Sequence, residues 1–518
     1  MPVRIRKDKN VPSSQKYLPR RGGQTANRGR GGGMTNAILP LLITLFRKRP
    51  KLAILLIVLG VVGYIILSRS NSHTSTAVQN MLFGMGLEMD EKIYDEAEVF
   101  EPLADNIKNP LPESVSLEEY CPPRLNQGNQ GSCVGWSSAY AARTILHARS
   151  TGQDPEDVTF SPSFVYNQIA LPGCQGTYLQ KAMEVMYKGG ALPFSRFAYN
   201  EHSCSKKPSR MEMSAASSYK TKGFNRLTRG GDDYRTDLLA IKQNLAQGAP
   251  VVIGMMVGGS FMQGMMGRRL YLPDRSDYSG SSLGGHAMCV IGYDDYLEGG
   301  AFQIMNSWGE EWGEDGLFWM RYNDFDYFTR EAYGLYPMGD ADEVISEILD
   351  VEIGLLVNAT GKYIPLEHNE GISFATASRV KTETDFKIEI TNSLECFTYI
   401  FGEETDGSSY VLFPYTKKHS PYCGITGTRV FPKDYSLYPD EQGERDFIAI
   451  VISRQKLDYN LLNEAINSAS GNTYDQKVYT ALEDELVRDI NFADGNTVRF
   501  STGNSGRNAV AMVMEIIK

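Results

Sequence analysis

The length, composition and charge of the chain narrow the possibilities. At 518 residues the chain is too long for one hydrophobic core, so two or three folded units are expected. A hydrophobic content of 42% and a charged content of 22% are ordinary for globular protein and exclude a largely disordered or fibrous chain. The net charge of -10 conceals a split, because residues 1–51 hold 13 Lys/Arg and one acid, Asp8, whereas the remainder holds 39 basic and 61 acidic residues. The two parts are therefore expected to have different surroundings.

The first element in chain order is an uncharged apolar run at residues 52–67, LAILLIVLGVVGYIIL. It is slightly shorter than the roughly 20 residues that span a bilayer, but Lys51 and Arg69 can snorkel at its ends. It also lacks the polar stripe of a soluble helix. We predict a retained anchor at residues 52–68, with the basic arm 1–51 in the cytoplasm and the acidic body outside. A cleaved signal peptide is the alternative, which the long basic region before the run disfavours.

Three neighbouring stretches have simpler interpretations. Residues 37–46, AILPLLITLF, are apolar but contain Pro40, and favour an interfacial helix over a second span. Residues 28–33, RGRGGG, form a pattern that can bind nucleic acid, but a disordered cytoplasmic tail near anionic lipid is the preferred interpretation, so no nucleic-acid partner is expected. Residues 69–111 are acidic and weakly periodic, and are predicted to be a linker.

A candidate nucleophile lies in residues 126–136, NQGNQGSCVGW. The glycines before Cys133 allow the chain to turn sharply into a helix. The free N–H groups and the dipole of a helix N-terminus stabilise a thiolate, which is the reactive form of cysteine. A buried structural cysteine at the start of a helix would show the same pattern.

Two later motifs supply possible partners for that cysteine. His286 follows a glycine pair and precedes an apolar, strand-like run. Asn306 opens the run NSWGEEWGEDG, residues 306–316. An asparagine at a strand end can accept the imidazole N–H and fix the ring, and a neighbouring tryptophan can cover that bond from water.

Together these motifs, in the order Cys, His, Asn, resemble the papain/cathepsin family of cysteine peptidases. The resemblance covers residues from about 112 to 338, within a domain predicted at 112–340. It implies an α+β fold with a helical lobe behind the cysteine and a β-barrel-like lobe that carries the histidine and asparagine. It also implies Cys133 as nucleophile, His286 as general acid/base, Asn306 as the orienting residue and Gln127 as a donor to the oxyanion.

The resemblance further implies a substrate-binding surface for a protein or peptide. Gly176 is expected to pair with the substrate backbone, Thr177 replaces a glycine usual in the family and is expected to narrow the cleft, and Trp308 is expected to shield the histidine–asparagine bond. The pocket for the second residue before the cut is expected to take an apolar side chain. The predicted substrate-binding residues are Gly176, Thr177, Tyr178, Leu179, Ala287 and Trp308.

Two departures from the family pattern concern control and cysteine pairing. Only about 50 residues separate the predicted anchor from the peptidase, so the long inhibitory propeptide usual in the family is missing, and control of activity is expected to differ or be absent. The family partners of the cysteines at 174 and 204 are also missing, since Gln130 occupies one of those positions. The resemblance therefore implies a rewired disulfide, Cys174–Cys204, which suits an oxidising compartment.

The other cysteines have separate expectations. Cys396 and Cys423 flank two predicted strands of the C-terminal region and are a second candidate disulfide. Cys289 lies in an apolar strand and is expected to be a free thiol in the core. No Cys/His spacing suggests zinc, and no metal or cofactor is expected.

Residues 345–518 show a different sequence pattern, in which strand-like segments predominate. Residues 385–391, DFKIEIT, alternate as a half-buried strand does, and residues 447–453, FIAIVIS, are typical of a buried strand. Helices are predicted near residues 459–468 and 474–488. The segment resembles a bacterial domain of unknown function found beside caspase-like peptidases and protein kinases. This implies a Gram-negative bacterium, a periplasmic body on a single-pass inner-membrane anchor, and a β-rich binding or scaffold domain for a cell-envelope partner.

Three functions remain open at this stage. The chain is expected to be an active membrane-anchored endopeptidase outside the cytoplasm. An exopeptidase of the same family is the second possibility, although no inserted loop that would block one end of the cleft is evident. A catalytically silent scaffold in an envelope complex is the third, which the presence of all four catalytic positions disfavours.

Overall fold

The computed structural model of the protein describes residues 3–8, 85–228, 235–279, 283–336, 348–488, 490–502 and 506–518. All of these belong to one compact unit. Within those ranges, no helix has the length and apolar character needed to cross a bilayer. The predicted anchor at 52–68, the interfacial helix at 37–46 and the Arg/Gly stretch lie outside the described residues.

The first domain, described between residues 85 and 336, combines helices with one large sheet. The strands before residue 337 are β1 (Val3–Lys7), β2 (Val99–Phe100), β3 (Ser114–Ser116), β4 (Phe224–Arg226), β5 (Val251–Val257), β6 (Leu270–Tyr271), β7 (Gly284–Asp294), β8 (Ala301–Met305), β9 (Leu317–Arg321) and β10 (Thr329–Leu335). The helices are α1 (Glu91–Asp95), α2 (Cys133–Gly135), α3 (Thr144–Thr151), α4 (Pro162–Ile169), α5 (Leu179–Lys188), α6 (Arg210–Ala216), α7 (Leu238–Ala246), α8 (Gly259–Gln263) and α9 (Tyr322–Phe328).

The sheet forms one lobe, in the order β4-β10-β5-β7-β8-β9-β6, with β3 added to β7. Its central strands β5 and β7 are buried along nearly their whole length, which explains their continuous apolar sequence in place of strict alternation. Helices α2 to α6 form the other lobe, and one hydrophobic core contains residues from both. The mixed helix and strand content fits the predicted α+β class.

The helix that begins at Cys133 continues through a π-helical stretch, Trp136–Arg143, into α3. It is buried among other helices, and Gly135 is where α4 approaches it most closely. A Cβ at position 135 would lie 2.6 Å from the carbonyl oxygen of Pro162. The glycine therefore fixes the depth at which the start of this helix is held.

The C-terminal domain, described from residue 348, contains two sheets. Its strands are β11 (Leu349–Val357), β12 (Tyr363–Ile364), β13 (Leu366–Glu370), β14 (Ser373–Thr376), β15 (Phe386–Asn392), β16 (Cys396–Glu403), β17 (Ser409–Phe413), β18 (His419–Ser420), β19 (Tyr422–Cys423), β20 (Gly427–Phe431), β21 (Tyr435–Pro439), β22 (Arg445–Ser453), β23 (Val498–Thr502) and β24 (Ala509–Ile517). Its helices are α10 (Tyr459–Ser468) and α11 (Tyr474–Leu482).

These sheets pack as a sandwich. One has the order β1-β21-β15-β11-β12 and the other β13-β14-β24-β22-β16-β17. Apolar residues of both, including Ile353 and Ile450, share one core. Ile466 of α10 and Val478 of α11 belong to a second cluster with residues of β16, β22 and β24, so the helices cover one sheet.

Residues 97–109, here called the strap, pack against both domains. β2 pairs in parallel with β18. Further along, Arg429 Nε donates to the Glu101 carbonyl oxygen at 3.0 Å, and the Phe100 ring stacks on Tyr336 at 5.1 Å between centroids. The part of the predicted linker 69–111 that the structure describes is therefore folded against both domains.

The N-terminal strand corrects one predicted boundary. Residues 1–51 are expected from the sequence to form a cytoplasmic arm, but β1 pairs antiparallel with β21 over five residues, from Val3 opposite Pro439 to Lys7 opposite Tyr435. Asp8 then meets Lys387 at 2.6 Å. Residues 3–7 are therefore part of a sheet of the C-terminal domain and do not form a separate arm.

The cysteines divide into one bonded pair and free thiols. Cys174 and Cys204 form a disulfide with Cα atoms 5.8 Å apart, which confirms the rewired pairing. Cys289 is a buried free thiol, as predicted. The prediction for Cys396 and Cys423 is wrong, because both are free although they face each other across β16 and β19.

Candidate active site

Cys133 lies at the first position of α2 and is fully buried. Burial raises the pKa of Cys133 to about 11, and nearby backbone N–H groups, those of Ala287 and Gly86 among them, offset this only in part. In this arrangement the thiol is protonated at neutral pH.

His286 and Asn306 form the pair that the sequence predicts. His286 Nε2 and Asn306 Oδ1 are 2.8 Å apart, and the same oxygen accepts the Ser307 backbone N–H at 2.8 Å. An oxygen that accepts twice requires His286 Nε2 to carry the proton, which leaves Nδ1 as the basic nitrogen. Trp308 stacks on the imidazole, with ring centroids 4.3 Å apart and planes at 27°, and thus covers the bond as predicted.

The environment of His286 keeps the ring neutral. Burial lowers the pKa of His286 to about 4, and the hydrogen bond to Asn306 opposes this only in part. Nδ1 is buried and has no hydrogen-bond partner among the described residues. The site therefore contains a neutral thiol and a neutral imidazole, and the thiolate needed for nucleophilic attack is not formed while the site is covered.

Gln127 is held beside the nucleophile by the motif that contains Asn306. Its Oε1 accepts the Ser307 hydroxyl at 2.5 Å, and its Nε2 donates to the Gln130 carbonyl oxygen at 2.9 Å. Its backbone N–H donates to the Ser307 carbonyl oxygen at 2.9 Å. The structure thus brings all four predicted catalytic residues to the junction of the helical lobe and the sheet.

A peptide segment at the start of the first domain covers this junction. Residues 85–89, here called the cleft segment, make three backbone hydrogen bonds across it. Leu87 N–H donates to the Gly285 carbonyl oxygen at 3.2 Å, Glu88 N–H to that of Thr177 at 3.0 Å, and Thr177 N–H to that of Gly86 at 2.9 Å. The cleft segment therefore contacts both walls of the cleft.

Glycines let the cleft segment lie this close to the nucleophile. A Cβ on Gly86 would overlap the carbonyl oxygen of Gly131, two residues before Cys133. A Cβ on Gly176, which has φ +142°, would in turn overlap the carbonyl oxygen of Gly86. Three chain segments therefore meet backbone to backbone at this point.

The apolar side chains of the cleft segment pack into the hydrophobic core of the first domain. Leu87 is 5% exposed and belongs to the main core, and it approaches Gly254 together with Met89. Glu331, opposite Gly254 on β10, is 5% exposed. Burial, and then the charge of Asp90, raise the pKa of Glu331 to about 8. Apolar side chains of the cleft segment thus pack close to a buried carboxyl group.

The predicted substrate-binding residues are only partly where the sequence suggests. Backbone pairing in the cleft is made by Thr177, and Gly176 provides space. The Thr177 side chain does not narrow the cleft, because it is buried and donates to the Ile169 carbonyl oxygen at 2.8 Å. Leu179 and Ala287 are fully buried in the core, and Tyr178 is half-buried at the start of α5.

Sequence reasoning missed Glu331 and the cleft segment. Glu331 carries no motif, and its position appears only when β10 pairs with β5. The cleft segment is held mainly through its backbone, so Gly86 is the single residue whose identity the contacts demand. Within the part of the chain that the structure describes, no group of three or more His, Cys, Asp or Glu side chains could hold a metal ion.

Comparison with known proteins agrees with this geometry. Residues 111–338 match the family described as papain family cysteine protease. This part of the chain is a papain-like cysteine peptidase domain. The match ends where the described first domain ends, so it does not extend to the C-terminal sandwich.

Individual relatives match a similar share of the chain. Cathepsin B-like CP2 of Giardia intestinalis is 29% identical over 231 residues, which are 41% of this chain and 70% of the relative. Cathepsin K of Mus musculus is 27% identical, and the alignment covers 40% of this chain and 58% of the relative. Among solved structures, xylellain, a cysteine protease from Xylella fastidiosa, is 26% identical with a TM-score of 0.42, covering 49% of this chain and 97% of xylellain.

Proposed function

We propose that the protein is a cysteine endopeptidase that hydrolyses peptide bonds through Cys133, His286, Asn306 and Gln127, and that the form described here is latent. The observation that carries the proposal is the His286–Asn306 bond, 2.8 Å long and covered by Trp308, next to a thiol at the start of a helix. Such a pair fixes the tautomer in which Nδ1 is free to accept a proton.

The mechanism starts when the cleft segment leaves. Water and substrate then enter, His286 Nδ1 takes the thiol proton, and the Cys133 sulfur attacks the substrate carbonyl carbon. The Cys133 backbone N–H and the Gln127 side-chain amide stabilise the oxyanion that develops. His286 returns the proton to the leaving amine as the C–N bond breaks. Water, deprotonated by the same nitrogen, then releases the acyl group from sulfur.

The latent state follows from the contacts of the cleft segment. Gly86 and Leu87 are hydrogen-bonded to Thr177 and Gly285 on the two walls of the cleft, and the Leu87 side chain packs against Gly254, so substrate cannot occupy the cleft while the segment is bound. The segment also excludes water, which disfavours an ion pair between thiolate and imidazolium. Removing it is expected to bring both pKa values toward their ordinary range.

The decisive experiment is covalent labelling and peptide hydrolysis after the cleft segment is released. An epoxide-type thiol-protease inhibitor should label Cys133, and Cys133→Ala should abolish both labelling and hydrolysis. Cys289→Ala, which removes another buried free thiol, is the matched control and should keep both. Hydrolysis that persists in Cys133→Ala would contradict the proposed nucleophile.

The oxyanion role of Gln127 has its own test. Gln127→Ala should lower kcat by roughly 10² to 10³ with little change in KM, as expected when one oxyanion donor is lost. Labelling of Cys133 by the epoxide should continue, because the thiol remains. A rise in KM with unchanged kcat would instead indicate a role in ground-state binding.

A catalytically silent scaffold is the second candidate function. The covered cleft and the neutral thiol and imidazole of the form described here would also be found in a silent scaffold. The two proposals differ in one outcome, because a silent protein would resist labelling of Cys133 even when the cleft segment is displaced. An exopeptidase would label in the same way but would release single residues or dipeptides from an unblocked peptide end.

We further propose that the body acts in an oxidising compartment, such as the periplasm of a Gram-negative bacterium. The Cys174–Cys204 disulfide supports an oxidising environment. Since β1 pairs with β21, residues 3–8 belong on the same side as the body. Arg6→Cys combined with Ser436→Cys, which lie directly opposite, should crosslink in intact cells. Failure to crosslink would show that β1 does not pair with β21 in cells, which would favour the alternative of one anchor at residues 52–68 with the basic arm in the cytoplasm.

A further inference from the structure

A second pocket lies where the strap meets both domains. Its volume is about 270 Å³. One side is formed by the strap and the residues before it, another by α5 and β4 of the peptidase domain, and the third by β16, β18 and β19 of the sandwich. None of the four proposed catalytic residues lines it.

The interior of this junction pocket is aromatic. Phe100 of the strap contacts Tyr422 edge-on at 5.6 Å, and Tyr422 packs against Phe397 at 5.1 Å. On the peptidase side Phe224 and Tyr187 meet at 6.1 Å. Phe224 and Phe397 are only half-buried, and Tyr187 is 40% exposed, so these rings present apolar surface to the pocket.

The rim carries both charge signs. Its charged residues are Glu96, Glu98, Glu184, Lys188, Lys222 and Lys456. The pairs among them are partly exposed: Lys188 lies 3.1 Å from Glu184, and Lys456 lies 3.9 Å from Glu98. Exposed pairs of this kind are worth at most about 1 kcal/mol each, so a ligand can exchange them for its own contacts at small cost. Glu96 has no ion-pair partner among the described residues.

We propose that the junction pocket binds a short zwitterionic peptide that carries a large apolar side chain. The aromatic rings receive the side chain, the glutamates receive an ammonium group and the lysines receive a carboxylate. Mixed charge disfavours a polyanion such as a nucleotide, since three carboxylates would face it. The volume lies just below the range of about 300 to 1,000 Å³ for small-molecule pockets, which suits a dipeptide.

Titration calorimetry on the full chain with Cys133→Ala tests this proposal without hydrolysis of the probe. The probe is the dipeptide Leu-Phe with free termini, compared with N-acetyl-Leu-Phe-amide and with Gly-Gly. Leu-Phe should bind with one site, and each of the other two should bind at least 10-fold more weakly, because one lacks the charges and the other lacks the apolar side chain. No binding of Leu-Phe, or equal binding of all three, would overturn the proposal.

Variants then locate the binding. Lys456→Glu and Tyr187→Ala change exposed lining residues, and each should weaken Leu-Phe binding about 10-fold. Lys362→Glu, an exposed charge reversal elsewhere on the sandwich, should leave it unchanged. Binding that is insensitive to both lining variants would place the peptide elsewhere, the catalytic cleft included, and overturn the assignment. Because only binding is measured, failure of the proposed peptidase activity would not alter these outcomes.

Discussion

Two short segments, the cleft segment and β1, each bind a part of the molecule that lies far away in the sequence. They are held there in different ways. The cleft segment is held at the catalytic cleft by three backbone hydrogen bonds, by glycine contacts and by two apolar side chains. β1 is held at β21 by a five-residue ladder, a buried Val3 and ion pairs such as Arg6–Asp385 at 2.6 Å. The first arrangement covers a reactive centre, and the second completes a sheet.

The difference shows which segment is suited to leave. A ladder closes an edge that would otherwise expose unpaired N–H and C=O groups, so losing β1 would open the sandwich to pairing with other chains. The cleft segment leaves behind a groove that a peptide substrate can refill with similar backbone bonds. We therefore expect β1 to be a permanent part of the fold and the cleft segment to be releasable.

The largest expected effect breaks the permanent segment. Val3→Asp places a charge at a position that is 1% exposed, which should cost about 3 kcal/mol or more and detach β1. Hydrogen exchange measured by mass spectrometry should then show loss of protection in residues 435–439. Ile5→Asp is the matched control, because Ile5 is 44% exposed in the same strand. Equal exchange in both variants would mean that docking of β1 does not depend on burial of the Val3 side chain.

The second prediction releases the cleft segment. Gly86→Ala introduces a Cβ that overlaps the Gly131 carbonyl oxygen, and overpacking of this kind costs about 1–3 kcal/mol. The open population, and with it peptide hydrolysis and epoxide labelling, should rise on the order of 10- to 100-fold. Gly259→Ala, at a position where a Cβ meets nothing within 4 Å, should change neither. An unchanged rate in Gly86→Ala would show that the segment does not limit access.

The third prediction concerns pH and the carboxyl beside the cleft segment. The folded protein favours protonated Glu331, since burial and then the charge of Asp90 raise its pKa to about 8. Stability from this group is therefore complete below the unfolded pKa of about 4.3 and is lost as pH rises toward 8. Glu331→Gln should match the native protein near pH 4.5 and exceed it at pH 8, by about 1.4 kcal/mol per pH unit at most.

Urea unfolding followed by tryptophan fluorescence measures this difference, because all four tryptophans lie in the peptidase domain. Glu310→Gln, at an exposed carboxylate of the same domain, is the control and should behave like the native protein at both pH values. A constant difference between Glu331→Gln and native protein across the pH range would show that Glu331 does not titrate between the folded and unfolded states.

The sequence predicted the parts of the site whose chemistry demands particular side chains. Cys133, His286, Asn306 and Gln127 each perform a task that few residue types can perform, so their motifs are specific. Backbone hydrogen bonding, in contrast, can be made by almost any residue type. For that reason the sequence assigned pairing to Gly176, whereas the neighbouring Thr177, with its side chain turned away to the Ile169 carbonyl oxygen, makes the contact.

Local sequence patterns also failed to predict the pairing of β1 and the redox state of Cys396 and Cys423. β1 alternates apolar and basic residues, but it stands in a strongly basic arm whose composition suggests a tail, and its partner β21 lies more than 400 residues away. Cys396 and Cys423 face each other in the sandwich, so the predicted proximity is correct, while proximity alone does not determine whether two thiols are oxidised. Long-range pairing and redox state are not encoded in local patterns.

Both described ends of the chain converge on Asp440. Arg4 Nε lies 3.4 Å from one of its carboxylate oxygens, and Lys518 Nζ lies 3.2 Å from the other. A fluorescent donor attached near residue 4 and an acceptor attached near residue 518 would therefore transfer energy efficiently while β1 is docked. Loss of energy transfer would report the departure of β1 in real time. The measurement needs no knowledge of the substrate or the partner.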